Sequence, residues 1–191
     1  PFELIRHLAR SQGDARKAVA ELVQNALDEQ ATKVTIDRRR EEGDAVLSIL
    51  DDGCGVLPRL PRDEALTSIA KNIGHSRKRE LSFDERMRQA MLGQYGIGLL
   101  GFWALGHELR MISRVADSPV WALTLFEDSP RFTVEPLPGD LGRTGTWTEV
   151  QVRRLHRAAL PSTVGSRLAT WLSVELRGQL IRHGTRLELF D

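Results

Sequence analysis

A single cysteine, Cys54, stands in the 191 residues, so the chain forms no internal disulfide and suits a reducing compartment; a cytoplasmic location is expected. Charge of one sign is equally scarce: 27 basic and 26 acidic residues are interspersed for a net charge of +1, and no global field draws the chain to nucleic acid or to an anionic membrane. No apolar run approaches the roughly 20 residues of a membrane span, and the opening Pro1-Phe2-Glu3-Leu4-Ile5-Arg6-His7 has none of the features of a signal peptide. There is no initiator methionine, which leads us to expect a fragment of a longer protein. Internal repeats and low-complexity stretches are missing too. The five histidines and the one cysteine show no paired ligand spacing, so a zinc site is not expected.

What is present is enough for one core. With 41% hydrophobic residues in 191, a single domain over 1–191 is expected. Val19, Leu22, Val23 and Ala26 recur at helical spacing and predict a helix over 14–30, with Asp14 as its N-cap. Residues 32–37 and 45–50 alternate around Glu41-Glu42-Gly43-Asp44, which predicts a hairpin ending at Asp51. Between 57 and 92 the pattern breaks into prolines, short helical pieces and the basic cluster Arg77-Lys78-Arg79; a long irregular connection of this kind is expected to be a lid. A buried helix over 97–105, strands over 108–113, 120–126, 131–135 and 145–152, a helix over 164–180 and a strand over 185–190 complete the reading. The expected class is α+β, a mostly antiparallel sheet with helices on one face.

Three short stretches carry the chemistry. In Glu21-Leu22-Val23-Gln24-Asn25-Ala26-Leu27-Asp28, the residues Glu21, Asn25 and Asp28 fall at i, i+4 and i+7, within about 60° of arc on one helix face. Taken alone, the octapeptide reads equally well as a solvated polar face. As a functional set it offers the Asn25 carbonyl to magnesium and Glu21 as a base for a water that attacks a terminal phosphate. In Asp51-Asp52-Gly53-Cys54-Gly55-Val56, the glycines let backbone turn sharply and approach a planar ligand, and a buried Asp51 can accept from an exocyclic amine, which adenine has where guanine has a carbonyl. A plain Asp-Gly turn is the bland alternative. Gly93-Gln94-Tyr95-Gly96-Ile97-Gly98 lacks the Lys-Ser/Thr ending of a P-loop, yet glycines leading into a helix N-terminus can hold phosphate through backbone N–H groups. Lys71, Arg77 or Lys78 could reach in from the lid.

The three boxes, with Thr144-Gly145-Thr146 after them, resemble in order and spacing the ATP-site motifs of the GHKL superfamily: gyrase B, the ninety-kilodalton heat-shock chaperones, histidine kinases and MutL. The resemblance covers almost the whole chain and implies the Bergerat fold, a two-layer α/β sandwich with an ATP lid. It implies roles residue by residue: Glu21 the general base, Asn25 the magnesium ligand, Asp28 a supporting acid, Asp51 the adenine-reading aspartate, Gly53 and Gly55 the glycines beside the base. Gly93, Gly96 and Gly98, with Gln94, Tyr95 and Ile97 between them, are the phosphate loop and lid hinge, and Thr146 is the threonine behind Asp51. Ser68-Ile69-Ala70-Lys71 is similar to a chaperone segment whose lysine approaches the phosphates, whereas His75-Ser76-Arg77-Lys78 is similar to a MutL stretch.

Gly-Gln-Tyr-Gly-Ile-Gly followed by Leu-Leu-Gly-Phe-Trp-Ala is closer to chaperone, MutL and MORC-type members than to histidine kinases. The implied cofactors are ATP and Mg2+. The implied activity is slow hydrolysis of ATP to ADP and phosphate that drives closure and homodimerisation, with a protein client and neither membrane nor nucleic acid indicated. Two alternatives stay open at this point: a nucleotide-sensing module without meaningful hydrolysis, and a histidine phosphotransferase.

Overall fold

The computed structural model describes residues 14–75 and 101–191. Helix α1 spans Ala15–Asp28, and it starts where expected: Asp14, in extended conformation, accepts from the Arg16 N–H at 3.0 Å and so satisfies a first-turn donor. The apolar stripe faces inward, with Val19, Leu22, Val23, Ala26 and Leu27 all buried. The hairpin follows as β1 (Lys33–Glu41) and β2 (Asp44–Asp51), longer at the turn than the alternation suggested. Glu42 and Gly43 both have positive φ (52° and 92°), the twist a two-residue hairpin turn needs.

Helix α2 (Arg62–His75) and a single turn α3 (Phe102–Leu105) lead to β3 (Gly106–Arg114), β4 (Trp121–Phe126), β5 (Ser129–Pro136) and β6 (Trp147–Leu155). A 3-10 turn at Leu160–Thr163 precedes α4 (Gly165–Glu175) and α5 (Arg177–His183), and β7 (Arg186–Phe190) ends the chain. The seven strands form one sheet in the order β5-β4-β3-β6-β2-β1-β7, antiparallel throughout except for β7 beside β1. This is the expected α+β class with a mostly antiparallel mixed sheet.

The helices share one face of the sheet. Leu22 and Val23 of α1, Leu66 and Ile69 of α2, Phe102 of α3 and Leu168 and Leu172 of α4 belong to one cluster with Ile36, Ile49, Met111, Leu123 and Val150 of the strands. The opposite face is stitched by charge. Glu149 is buried there and accepts from Ser48 (2.7 Å), Gln151 (2.9 Å) and Arg143 (2.7 Å), while Arg39 bridges Asp37 and Glu41, and Arg153 bridges Glu41 and Glu108. Burial pulls the Glu149 carboxyl up, and those three donors more than offset it, holding it below its ordinary value.

Two secondary elements differ from expectation. The stretch from residue 57, expected to hold only short helical pieces among its prolines, contains a 14-residue helix whose Ala65, Leu66 and Ile69 are fully buried against the sheet. The misleading prolines lie in the turn before it, where buried Arg62 donates to the carbonyls of Val56, Leu57 and Leu60 and takes the place of missing ladder bonds. Residues 76–92 lie outside the described residues. The helix expected over 164–180 is broken at Leu176, whose backbone leaves helical geometry (φ −101°, ψ 7°) while its side chain stays buried with Leu168 and Leu172. Of the helix expected over 97–105, only the part from residue 101 is described, and it is one turn long.

Candidate nucleotide site

Strand register brings the site together. Asp51, the last residue of β2, lies opposite Val34 on β1 and Thr148 on β6, and α1 crosses above it. Between them is a narrow crevice lined by Leu22, Asn25, Ala26 and Glu29 of α1, Asp51, Val56, Met111, Thr148 and neighbouring apolar side chains. Its enclosed part measures about 20 Å³, room for roughly one water.

Asp51 is 7% exposed. Burial pushes its carboxyl up to about 7; the Gly53 and Thr148 amides pull it back, and the nearby Glu29 carboxylate pushes it further up. The Gly53 N–H donates to its Oδ1 at 2.9 Å. At neutral pH this is therefore an acceptor poised between its two protonation states inside an apolar wall. Glu29 at the C-terminal end of α1 is a second buried carboxyl on the crevice, also raised by burial; Cys54 Sγ donates to it at 2.7 Å. The same contact and the burial of the thiol hold Cys54 up at about 11, so the lone cysteine is an inert donor.

Of the residues expected in the site, Asn25 and Asp51 share the crevice. Glu21 sits one turn earlier on α1 and is exposed, and Asp28 accepts from Gln24 at 3.1 Å; neither lines the crevice. Thr146 precedes β6, half-buried and off the lining. Thr148, two residues on, is the buried threonine opposite Asp51, and its hydroxyl is 3.3 Å from Ser113 Oγ, which accepts from the Val56 N–H at 3.0 Å. Parity along the strand would have found it: Thr148, Val150 and Val152 alternate with Glu149 and Gln151, and only even positions face the helices. Lys71 is exposed on α2 and also off the crevice. Gly93, Gln94, Tyr95, Gly96, Ile97 and Gly98 lie outside the described residues, as do Arg77 and Lys78.

Gly53 and Gly55 are required for a reason the sequence did not supply. A Cβ on Gly53 would stand 2.6 Å from the Glu29 carbonyl, and one on Gly55, whose φ is +81°, 2.6 Å from the Arg114 carbonyl. The loop is pressed against its own chain. Asp52, with no part in the expected site, is the staple between loop and sheet: it accepts from the Thr32 N–H and hydroxyl (2.8 and 2.6 Å) and from the Lys33 N–H (2.8 Å). Glu29, Asp52 and Thr148 are the residues that sequence reasoning missed here, since none was given a role in the expected site.

The crevice holds one ionisable acceptor and one side-chain amide. Asp51 supplies an ionisable acceptor in an apolar cleft, and Asn25 supplies an amide on the adjoining helix. Known proteins match the same region. Residues 14–129 fit the family described as histidine kinase-, DNA gyrase B- and HSP90-like ATPase. The chain is 33% identical over 122 residues to the DNA mismatch repair protein PMS1 of Arabidopsis thaliana, covering 64% of this chain and 12% of that protein. It is 29% identical over 147 residues to the DNA mismatch repair protein MutL of Escherichia coli, covering 75% of this chain and 22% of that one. The chain thus spans less than a quarter of the length of these relatives. With a buried aspartate ending β2, an asparagine on the overlying helix and the matched span running from the first cap to the start of β5, the chain belongs to the histidine kinase-, DNA gyrase B- and HSP90-like ATPases.

Proposed function

We propose that this domain binds ATP with Mg2+ and serves a longer protein as a nucleotide-driven switch that closes and dimerises. The observation that carries the reading is the juxtaposition of Asp51, Thr148 and Asn25 on one crevice between α1 and the sheet. Asp51 accepts from the adenine amine, directly or through a water held between it and Thr148. The ionised Asp51 pairs with the adenine amine, whereas a guanine carbonyl at the same point finds a donor only in the protonated carboxyl, so adenine is favoured increasingly as pH rises above about 7. Asn25 would offer its amide oxygen to the metal, an ion that takes few protein ligands and keeps waters and phosphate oxygens as the rest. Glu21, one turn away on the same helix face, orients the attacking water.

The exposure of Glu21 favours a second reading, in which the domain senses nucleotide without turning it over. The two separate cleanly. Titration calorimetry with Mg-ATP and Mg-GTP should show uptake of the adenine nucleotide alone; no heat with either would overturn the proposal. In the full-length protein, Glu21→Ala should keep binding and abolish phosphate release, whereas undiminished release would remove Glu21 from its role. Since its relatives are DNA mismatch repair proteins, repair is the process in which we would first look for the partner of the closed form.

A further inference from the structure

Histidines without paired ligand spacing in the sequence are brought together by the sheet. His107 is the second residue of β3, Glu127 follows β4 and His156 follows β6, and these strands are neighbours, so the three residues meet at one end of the sheet. Backbone bonds fix their height: the Glu127 N–H donates to the His107 carbonyl at 2.9 Å, and the His156 N–H to the Leu105 carbonyl at 2.9 Å. His107 Nδ1 lies 2.7 Å from one Glu127 oxygen and His156 Nε2 3.6 Å from the other, and one ligand atom from each residue falls within 4.8 Å of the others. The two imidazole rings stand edge to face at 4.3 Å. Glu127 itself is only 2% exposed.

We propose that His107, Glu127 and His156 form a site for a divalent transition metal, Zn2+ by preference, separate from the nucleotide crevice. Two imidazoles and one carboxylate are a donor set that suits zinc and does not match the all-oxygen preferences of Mg2+ and Ca2+. A tetrahedral ion with bonds of about 2.0–2.2 Å separates its ligand atoms by roughly 3.4 Å, and three ligand atoms within 4.8 Å of one another reach that spacing by closing about 1.4 Å at most. His156 also lines a cleft of about 380 Å³ together with Trp103, Ala104 and Ser162. The rings carry protons as they stand: His107 Nδ1 shares one with Glu127, and His156 Nε2, 3.1 Å from the Trp103 carbonyl, donates to it. Metal takes the place of both protons, each ring moving to its other tautomer or, if cationic, releasing one proton to solvent.

The ligands sit on adjoining strand ends of a rigid sheet, which limits the rearrangement that binding demands. The test needs no nucleotide and so fails independently of the ATP reading. The metal-free chain is titrated with ZnCl2 against a chromophoric chelator, and with CoCl2 for the visible absorption of tetrahedral cobalt. One ion per chain is expected, with Mg2+ at millimolar concentration failing to compete. His107→Ala changes a largely exposed ring and should fold normally while weakening zinc at least tenfold; His156→Ala should do the same, and His183→Ala, an exposed histidine elsewhere, should change nothing. No uptake by the unaltered chain, or uptake that His107→Ala leaves unchanged, overturns the site.

Discussion

Replacing Asp51 by Asn should make this domain more stable and useless to a nucleotide at once. The folded carboxyl sits at about 7 against an ordinary value of 3.8, because burial and the Glu29 charge disfavour its ionised form. A group raised in this way binds more protons folded than unfolded between the two values, so its contribution to stability falls as pH climbs from about 4 to about 7 and levels off above. The slope is about 1.4 kcal/mol per pH unit, which puts the cost of the carboxylate at about 2 kcal/mol at pH 5.5 and about 4 kcal/mol at pH 8. Asparagine keeps an Oδ1 for the Gly53 N–H and never ionises. Urea denaturation of both proteins at the two pH values should show the advantage of Asp51→Asn growing by about 2 kcal/mol from pH 5.5 to pH 8. Calorimetry on the stabilised variant should detect no Mg-ATP. A stability difference that does not change with pH would refute the electrostatic argument, and a variant that binds ATP normally would refute the role of Asp51 in reading adenine.

Arg62→Ala strips three carbonyls of one buried donor and should cost on the order of 2–4 kcal/mol by urea denaturation; a loss under about 1 kcal/mol would mean that the 56–60 turn holds itself. Gly55→Ala forces a Cβ to within 2.6 Å of a backbone carbonyl at positive φ and should lower the thermal midpoint more than Gly43→Ala, where nothing stands within 4 Å. Asp52→Ala removes three accepted hydrogen bonds and should destabilise by roughly 1–2 kcal/mol at pH 7. Burial works against the Asp52 charge, but the Thr32 and Lys33 donors outweigh it and lower its pKa, so the stabilising effect is present above the ordinary carboxylate range and lost as pH falls below it. The gap between Asp52→Ala and the unaltered protein should therefore narrow in acid.

Much of the fold could be read from local signals that tertiary contacts reinforce. The Asp14 cap, the α1 stripe and the Glu42-Gly43 turn each act within a few residues, and their elements appear where expected. Misreadings came where distant contacts decide. Pro58 and Pro61 looked like the start of an irregular stretch, yet α2 forms because Leu66 and Ile69 are buried against the sheet. At the crevice, spacing along α1 put Glu21 and Asn25 on one arc but could not say that Asn25 lines the cleft while Glu21 faces solvent. The position of Thr148 depends on β2 and β6 register, a pairing of residues about a hundred apart in sequence. The same applies to His107, Glu127 and His156, which no linear spacing links and only strand order unites.

Because Gly53 abuts the end of α1 and Gly55 abuts the end of β3, the Asp51 side of the cleft behaves as an anvil: it cannot retreat without breaking into the folded body on either side. Whatever widening admits a purine must then come from the opposite jaw. An isotope-exchange map taken with and without nucleotide should find the amides around residues 51–56 equally slow in both conditions, and the change concentrated elsewhere.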